Sequence, residues 1–315
     1  MKFHSWCVGT VLLGSLIGST GLHAQTTLAS PTTLGAPITP VTTEPAIENP
    51  DPLATDPKNS NSPAQHTGFV EFLSNRLAPY EPMYFVIGTE APNAKFQLSL
   101  RYQLFNDDGP AVQSFQPLKG LNFAYSQTSF WDTSAESAPF EDNSYRPEFL
   151  LHYDDLIDPA KLKGLQHIGL QAGLQHESNG QDGDSSRSLN YVYIRPMLTF
   201  GDRDNGGFFV TIAPRVHAYI AGEEDNEDMD EYRGYGDLRL IVGQGGGLQA
   251  AFIGRMGSDW DKGSIQMDLT FPMRALLAGN IDLYFNLQVF NGFGEGLLEY
   301  DESDTMVRAG ISLVR

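Results

Sequence analysis

The sequence has little of three features that distinguish classes of protein: cysteine, long apolar runs and positive charge. Cys7 is the only cysteine, so a framework of intrachain disulfides is excluded. No stretch of about 18 consecutive apolar residues occurs, which excludes a membrane-spanning helix. Lys and Arg number 20 against 39 Asp and Glu, a net charge of −19, and this acidity argues against a nucleic-acid partner.

Residues 1–24 have the features of a secretory signal peptide. Lys2 supplies a positive start, Val11–Ile17 a short apolar stretch, and Leu22-His23-Ala24 a small-residue cleavage site. Cys7 lies inside this segment, and removal of Lys2 changes the charge by −1, from −19 to −20. Residues 25–79, which begin with a stretch rich in Thr, Pro, Ala and Asn, predict a flexible periplasmic leader.

From residue 80 to residue 315 the chain is built of segments in which apolar and polar residues alternate, separated by loops rich in Gly, Asp and Asn. Side chains two apart on a strand share a face, so each segment has one apolar and one polar face. The pattern predicts twelve strands, near residues 82–89, 94–105, 120–131, 145–154, 165–178, 187–200, 207–220, 234–243, 246–256, 262–271, 280–291 and 304–315.

The length of these segments favours an all-β fold of one kind, a twelve-stranded antiparallel transmembrane β-barrel. Soluble sandwiches use strands of about 5–6 residues, whereas outer-membrane barrels use longer strands whose apolar side faces lipid. The charged residues on the second face predict a packed polar lumen and not a wide pore. Pro196 and Pro214 each remove a ladder donor, which strands tolerate mainly at edges and bulges.

A run of acidic residues, 223–231, holds much of the negative charge. A charge run of this kind is usually a solvated loop. Its carboxylate oxygens are also the ligands that hard divalent cations prefer. Both interpretations stay open at this point.

Three polar residues extend the apolar face of two adjacent predicted strands. His176 and Ser178 continue the face of Ile168, Leu170 and Leu174, and Asn190 lies on the apolar face of the next strand. On a membrane barrel that face meets lipid, where unpaired polar groups are costly and usually functional. The pattern therefore predicts a catalytic site on the outer face of the barrel.

The three residue types suit acyl transfer. A serine hydroxyl becomes a nucleophile when a neighbouring histidine accepts its proton, and the other ring nitrogen of that histidine needs a partner that fixes its tautomer. The amide oxygen of Asn190 serves as that partner for His176. Because an uncharged partner stabilises the imidazolium less than a carboxylate does, the trio favours hydrolysis of esters over amides.

The motif His176-x-Ser178-Asn179-Gly180, followed by Ser186-Arg187-Ser188 and by Asn190, resembles the outer-membrane phospholipase A family of Gram-negative bacteria. The resemblance extends over residues 77–314. The stretches that support it are residues 77–80, 95–100, 127–131, 137–140 and 145–147.

The resemblance implies a calcium-dependent, homodimeric phospholipase A1/A2 of the outer membrane, which hydrolyses acyl esters of phospholipids and lysophospholipids. Ser178 is then the nucleophile, His176 the base and Asn190 its orienting partner. The implied calcium ligands are the Ser186 hydroxyl, the Gln181 carbonyl and Ser137 from the other subunit, with Asp225 as a further acidic ligand. Gln181 replaces a basic residue of the family, but only its carbonyl is required.

Two other classes fit part of the sequence. A barrel without enzymatic activity, such as a small porin or an adhesin, explains the alternating strands but not the polar trio on the apolar face. A soluble periplasmic esterase explains the trio but not the long apolar faces. Heat-modifiable migration and extraction that requires detergent separate a barrel from a soluble esterase.

Overall fold

A computed structural model describes residues 76–156, 164–221, 226–274 and 283–315. Its strands are β1 Leu77–Pro79, β2 Met83–Gly88, β3 Ala94–Gln103, β4 Leu121–Trp131, β5 Phe140–Tyr153, β6 Leu165–Ser178, β7 Ser188–Gly201, β8 Phe208–Ala221, β9 Gly236–Gln244, β10 Gln249–Met256, β11 Gly263–Pro272, β12 Tyr284–Phe293 and β13 Ser303–Val314. Two short α-helices, α1 Pro110–Ser114 and α2 Met229–Arg233, and two 3₁₀ turns, Gln116–Gly120 and Gly183–Ser185, lie between strands.

The strands form one closed antiparallel barrel. Each strand from β3 to β12 pairs with the strands before and after it, and β13 closes the ring on β2. β1 and β2 both pair with β3, at successive positions along it, so the two segments share one place in the ring. The result is a twelve-stranded barrel, as predicted.

The two faces of the barrel differ sharply in polarity. Exposed apolar side chains on the outer face include Leu98, Leu100, Phe149, Leu174, Val192, Ile194, Ile212, Val216, Ile220, Leu238, Ile265, Val307 and Ile311. Buried polar side chains on the inner face include Lys95, Ser99, Thr128, Glu148, Gln175, Arg195, Thr211, Asp237, Thr270, Gln288 and Arg308. A polar inside and an apolar outside are the pattern of an outer-membrane barrel.

Ion pairs fill the lumen. Asp237 accepts from Arg215 at 2.5 Å and from Arg195 at 3.4 Å, and Glu295 pairs with Lys95 at 3.1 Å and with Arg308 at 2.6 Å. The cavity that remains among these side chains has a volume of about 160 Å³, enough for only a few water molecules. The packed polar lumen predicted from the sequence is confirmed.

One mouth of the barrel is closed by loops that carry their own apolar cluster. The cluster joins strand β7, helix α2 and the loop between β12 and β13, through Leu189, Tyr191, Tyr193, Met229, Leu297 and Tyr300. We call this mouth the plugged end and residues 226–235 the plug segment. The loops after β2, β4, β6, β8, β10 and β12 all lie at this end, because consecutive strands are antiparallel.

The two prolines occupy a single gap in the ladder. Strands β7 and β8 pair Ile194 with Val216 and Leu198 with Ile212, a register that places Pro196 opposite Pro214. Each proline lacks a donor, and the two missing donors fall at the same point between the strands. The rest of the β7–β8 pairing therefore keeps its donors.

The sheet begins at Leu77, three residues before the predicted start of the barrel at residue 80. Strand β5 begins at Phe140, five residues before its prediction. Within the described residues no helix is long and apolar enough to cross a membrane. The predicted signal peptide, residues 1–24, and residues 25–75 of the predicted leader lie outside the described residues.

Candidate active site

His176 and Asn190 lie directly opposite each other on strands β6 and β7. The imidazole Nδ1 and the amide Oδ1 are 3.0 Å apart, and the amide nitrogen of Asn190 donates to the carbonyl of Ala221 at 3.4 Å. An amide oxygen only accepts, so Nδ1 of His176 carries the ring proton and donates it to Asn190. The lone pair of the neutral ring is then on Nε2, as a general base requires.

Ser178 stands two residues beyond His176 on the same face of β6. Its partners across the ladder are Tyr145 on β5 and Ser188 on β7. The neighbouring outer-face residues Leu174 and Val192 are 45% and 44% exposed. The serine, the histidine and the asparagine thus share the apolar outer face, next to the plugged end.

The loop between β6 and β7 is organised by the side chain of Asn179. Its amide oxygen accepts from the backbone amides of Gln181 at 3.2 Å and Arg187 at 3.0 Å, and its amide nitrogen donates to the carbonyl of Ser185 at 2.7 Å. Asn179 is buried, so these bonds are shielded from water. The Asn179 side chain therefore connects the start of the loop, at Gln181, with its end, at Ser185 and Arg187.

Gly180 fits a position that excludes other residues. Its φ is +71°, in the left-handed region that costs L-residues about 1–2 kcal/mol. A Cβ added there would lie 2.9 Å from Cε2 of Tyr145, which is closer than carbon atoms approach without a shift. The glycine thus lets the chain turn immediately after Ser178, against the tyrosine ring.

Gln181 and Ser186, two of the predicted calcium ligands, lie in this same loop. The carbonyls that accept hydrogen bonds within this loop include those of Gly183, Asp184, Ser185, Ser186 and Arg187. Calcium is coordinated by oxygen ligands, and hydroxyl and carbonyl groups supply oxygen. In the part of the chain that the structure describes, no group of three or more His, Cys, Asp or Glu residues is arranged to hold a metal.

Ser137 lies in the next loop of the plugged end, between β4 and β5. The loop is held by Asp132, whose carboxylate accepts from the amide of Ser134 at 2.8 Å and from its hydroxyl at 2.5 Å; the hydroxyl and then the amide lower the pKa of Asp132. Ser137 itself is exposed, as a contact to a second subunit requires. Asp225, the remaining predicted ligand, lies outside the described residues.

The structure therefore brings His176 and Asn190 into contact and places Ser178 on their face. It puts Gln181 and Ser186 together in the adjoining loop and Ser137 in a separate one. The sequence did not reveal that Asn179 organises the loop. Its only signal was an asparagine followed by a glycine, which is a general turn pattern.

Comparisons with known proteins point to one family. The phospholipase A1 family model matches residues 75–313. Phospholipase A1 of Escherichia coli (strain K12) is 30% identical over 222 residues, which cover 70% of this chain and 68% of that protein. The structure of outer membrane phospholipase A from Escherichia coli is similar with a TM-score of 0.61 and 25% identity, over 75% of this chain and 91% of that one.

A second solved structure is the Salmonella typhi outer membrane phospholipase dimer with bound calcium. It matches with a TM-score of 0.61 and 25% identity, and the match covers 77% of this chain and 96% of that one.

Proposed function

The chain belongs to the phospholipase A1 family, and we propose that it hydrolyses phospholipid acyl esters with the triad Ser178, His176 and Asn190 and with calcium. The family and the barrel make it an outer-membrane β-barrel enzyme that acts on phospholipids. The triad, the calcium dependence, the use of lysophospholipids and the homodimer are the proposed part. The observation that carries the triad is the 3.0 Å contact between His176 Nδ1 and Asn190 Oδ1 on the apolar outer face.

The proton follows a simple path in this triad. His176 Nε2 takes the proton of the Ser178 hydroxyl while Oγ forms a bond to the acyl carbonyl carbon. When the tetrahedral intermediate collapses, the ester C–O bond breaks and the alcohol leaves with the proton from Nε2, which gives an acyl-serine and a lysophospholipid. Water, deprotonated by Nε2, then releases the fatty acid and restores Ser178.

Asn190 stabilises the ring without taking a proton. The Nδ1–H bond to its amide oxygen holds the imidazole plane during both proton transfers and favours the imidazolium that forms in each. An amide is neutral, so it stabilises that cation less than a carboxylate does. The site thus suits an ester better than an amide, in agreement with a phospholipid substrate.

The position of the site supports a substrate that arrives from the bilayer. Ser178 lies on the lipid-facing side of β6, near the plugged end of the strand. A phospholipid packed against this face presents its ester bonds close to the membrane–water boundary. A small porin is disfavoured as an alternative because ion pairs and the apolar cluster fill the lumen.

Calcium fits the oxygen donors of the loops beside Ser178. We propose that the Gln181 carbonyl and the Ser186 hydroxyl hold it together with Ser137 of the partner subunit, with Asp225 as a further ligand. Calcium held there would supply positive charge close to the acyl oxygen, where negative charge develops. The Salmonella typhi relative is a dimer with bound calcium, which supports calcium and a dimer here.

Covalent trapping tests the proposal directly. Wild-type protein in detergent micelles with calcium is treated with a long-chain sulfonyl fluoride, which reacts with activated serines and mimics the acyl group. We expect one sulfonyl group on the peptide that contains Ser178, and much slower labelling in His176→Ala. Rapid labelling of another serine, with Ser178 unmodified, would remove the assignment of the nucleophile.

A further inference from the structure

The plug segment contacts both strands that carry the triad, and it does so from inside the barrel. Strands β6 and β7 form the hairpin with His176, Ser178 and Asn190 on its outer face. Helix α2 and the residues before it lie on the lumen side of the same hairpin. Two polar contacts and one apolar contact connect them.

The first contact reaches the residue between the base and the nucleophile. Glu177 points into the lumen, where it is 2% exposed. Its carboxylate accepts from Nη2 of Arg233 at 3.3 and 3.4 Å and from the Ser144 hydroxyl at 2.8 Å. Burial would lower the pKa of Arg233, but Glu177 and neighbouring groups raise it, so the arginine is charged in this pair.

The second contact holds the opposite strand. The amide nitrogen of Asn226 donates to the backbone carbonyl of Ser188 at 3.0 Å, and Ser188 is the ladder partner of Ser178. Met229 and Leu189 belong to the same buried apolar cluster of the plugged end. The plug segment thus holds β6 at Glu177 and β7 at Ser188 and Leu189.

We propose that the plug segment positions the triad, with Arg233 acting through Glu177 on the relative placement of His176 and Ser178. The inference rests on the proposed function, because it concerns the same triad. Glu177 lies between His176 and Ser178 on β6, so the contacts of its carboxylate restrain the piece of backbone that carries both residues. A misplacement of about 1 Å in a catalytic constellation costs about 100-fold in rate.

Another buried carboxylate of the lumen offers a matched control. Glu295 lies in the loop between β12 and β13, and its carboxylate pairs with Lys95 on β3 and Arg308 on β13, not with a residue of the catalytic hairpin. Both Glu295→Gln and Glu177→Gln remove one buried charge and leave its cations without that partner, so both lower stability. Only Glu177→Gln disturbs the strand of the triad.

The experiment measures kcat, KM and calcium activation for Glu177→Gln, Arg233→Gln, their combination and Glu295→Gln, in mixed micelles of phosphatidylcholine and detergent. Neither Glu177→Gln nor Arg233→Gln removes a triad residue, so for each we expect a displacement smaller than about 1 Å and a loss of kcat of about 10-fold, with unchanged KM and calcium activation. The double variant should be no slower than either single, because both act through one contact. Glu295→Gln should keep kcat within about twofold of the wild type, since its contacts lie off the hairpin.

Heat-modifiable migration identifies the folded fraction, and rates are expressed per folded protein. If Arg233→Gln does not fold, Arg233→Lys keeps the charge and should restore most of kcat. An unchanged kcat in folded Glu177→Gln, or an equal loss in Glu295→Gln, overturns the inference. Failure of the proposed function gives a different result: the wild type itself then shows no hydrolysis. The variants are therefore compared only with a wild type that is active.

Discussion

Removal of the Asn190 side chain separates the tasks of orientation and proton transfer in the proposed triad. Asn190→Ala deletes the acceptor that lies 3.0 Å from Nδ1 of His176 and leaves His176 and Ser178 in place. The imidazole keeps its Nε2 lone pair, so the base is still present. What is lost is the fixed ring plane and the bond to the imidazolium that forms at each proton transfer.

The magnitude follows from the kind of bond that is removed. A hydrogen bond to a charged group contributes about 1.5–3 kcal/mol, and each 1.36 kcal/mol is tenfold in rate. The imidazolium exists only after proton transfer, so the loss falls on kcat and amounts to about 10- to 160-fold. His176→Ala removes the base itself and should cost more, up to about 10⁴-fold.

The assay is fatty-acid release from mixed micelles, with saturating calcium, for Asn190→Ala, His176→Ala and the double variant. The double variant should equal His176→Ala, because Asn190 acts only through the histidine. Asn190→Asp, which keeps an acceptor oxygen, should be faster than Asn190→Ala. Wild-type kcat in folded Asn190→Ala, or a further loss when Asn190→Ala is added to His176→Ala, would refute the orienting role.

Three further predictions follow from the loops and the lumen. Gly180→Ala should lower activity more than Gly183→Ala: both have positive φ, but an added Cβ meets a neighbour only at Gly180. Ser186→Ala and Ser137→Ala should each weaken activity and calcium-promoted dimerisation, with partial rescue by excess calcium, as measured by sedimentation in detergent. Burial would raise the pKa of Glu295, but Lys95 and Arg308 hold it below 4.5. The ionised carboxylate therefore stabilises the fold fully above pH 4.5, and this stabilisation is lost as the pH falls through the lowered pKa. Melting curves should show a smaller acid-induced loss of stability for Glu295→Gln than for the wild type.

Each of these predictions has a contrary result. Equal activity in the two glycine variants would mean that the close approach at Gly180 has no effect on the site. A fully active monomer, or a dimer indifferent to calcium, would contradict ligands shared between subunits. The same loss of melting temperature in acid for wild type and Glu295→Gln would place the acid sensitivity elsewhere.

The alternation of residues was enough to predict the barrel and the face of the triad. A period of two assigns every side chain to the lumen or to lipid, so the sequence alone places His176, Ser178 and Asn190 on the outer face. The predicted strand ends were less accurate where a strand continues through residue types that are common in loops. Strand β5 starts at Phe140 and not at residue 145. Asp142 and Asn143 pair with β4, and a register shift that leaves Glu141 without a ladder partner precedes the pairing of Phe140 with Trp131. Alternation alone does not show such an irregularity.

Contacts between segments far apart in the sequence could not be predicted. Arg233 meets Glu177 across 56 residues, and the apolar cluster joins Leu189 to Leu297. A helix of five residues, such as α2, has too short a pattern to place its side chains. The role of Asn179 was hidden for the same reason, since its hydrogen bonds depend on the conformation of the loop.

The central claim, calcium-dependent ester hydrolysis by Ser178, is tested most directly by one measurement. Purified wild type and Ser178→Ala are compared for release of fatty acid from phospholipid in micelles, with calcium and with chelator. We expect hydrolysis only by the wild type with calcium, and equal heat-modifiable migration for both proteins. Turnover by Ser178→Ala at the wild-type rate, or wild-type activity that survives the chelator, would contradict the claim.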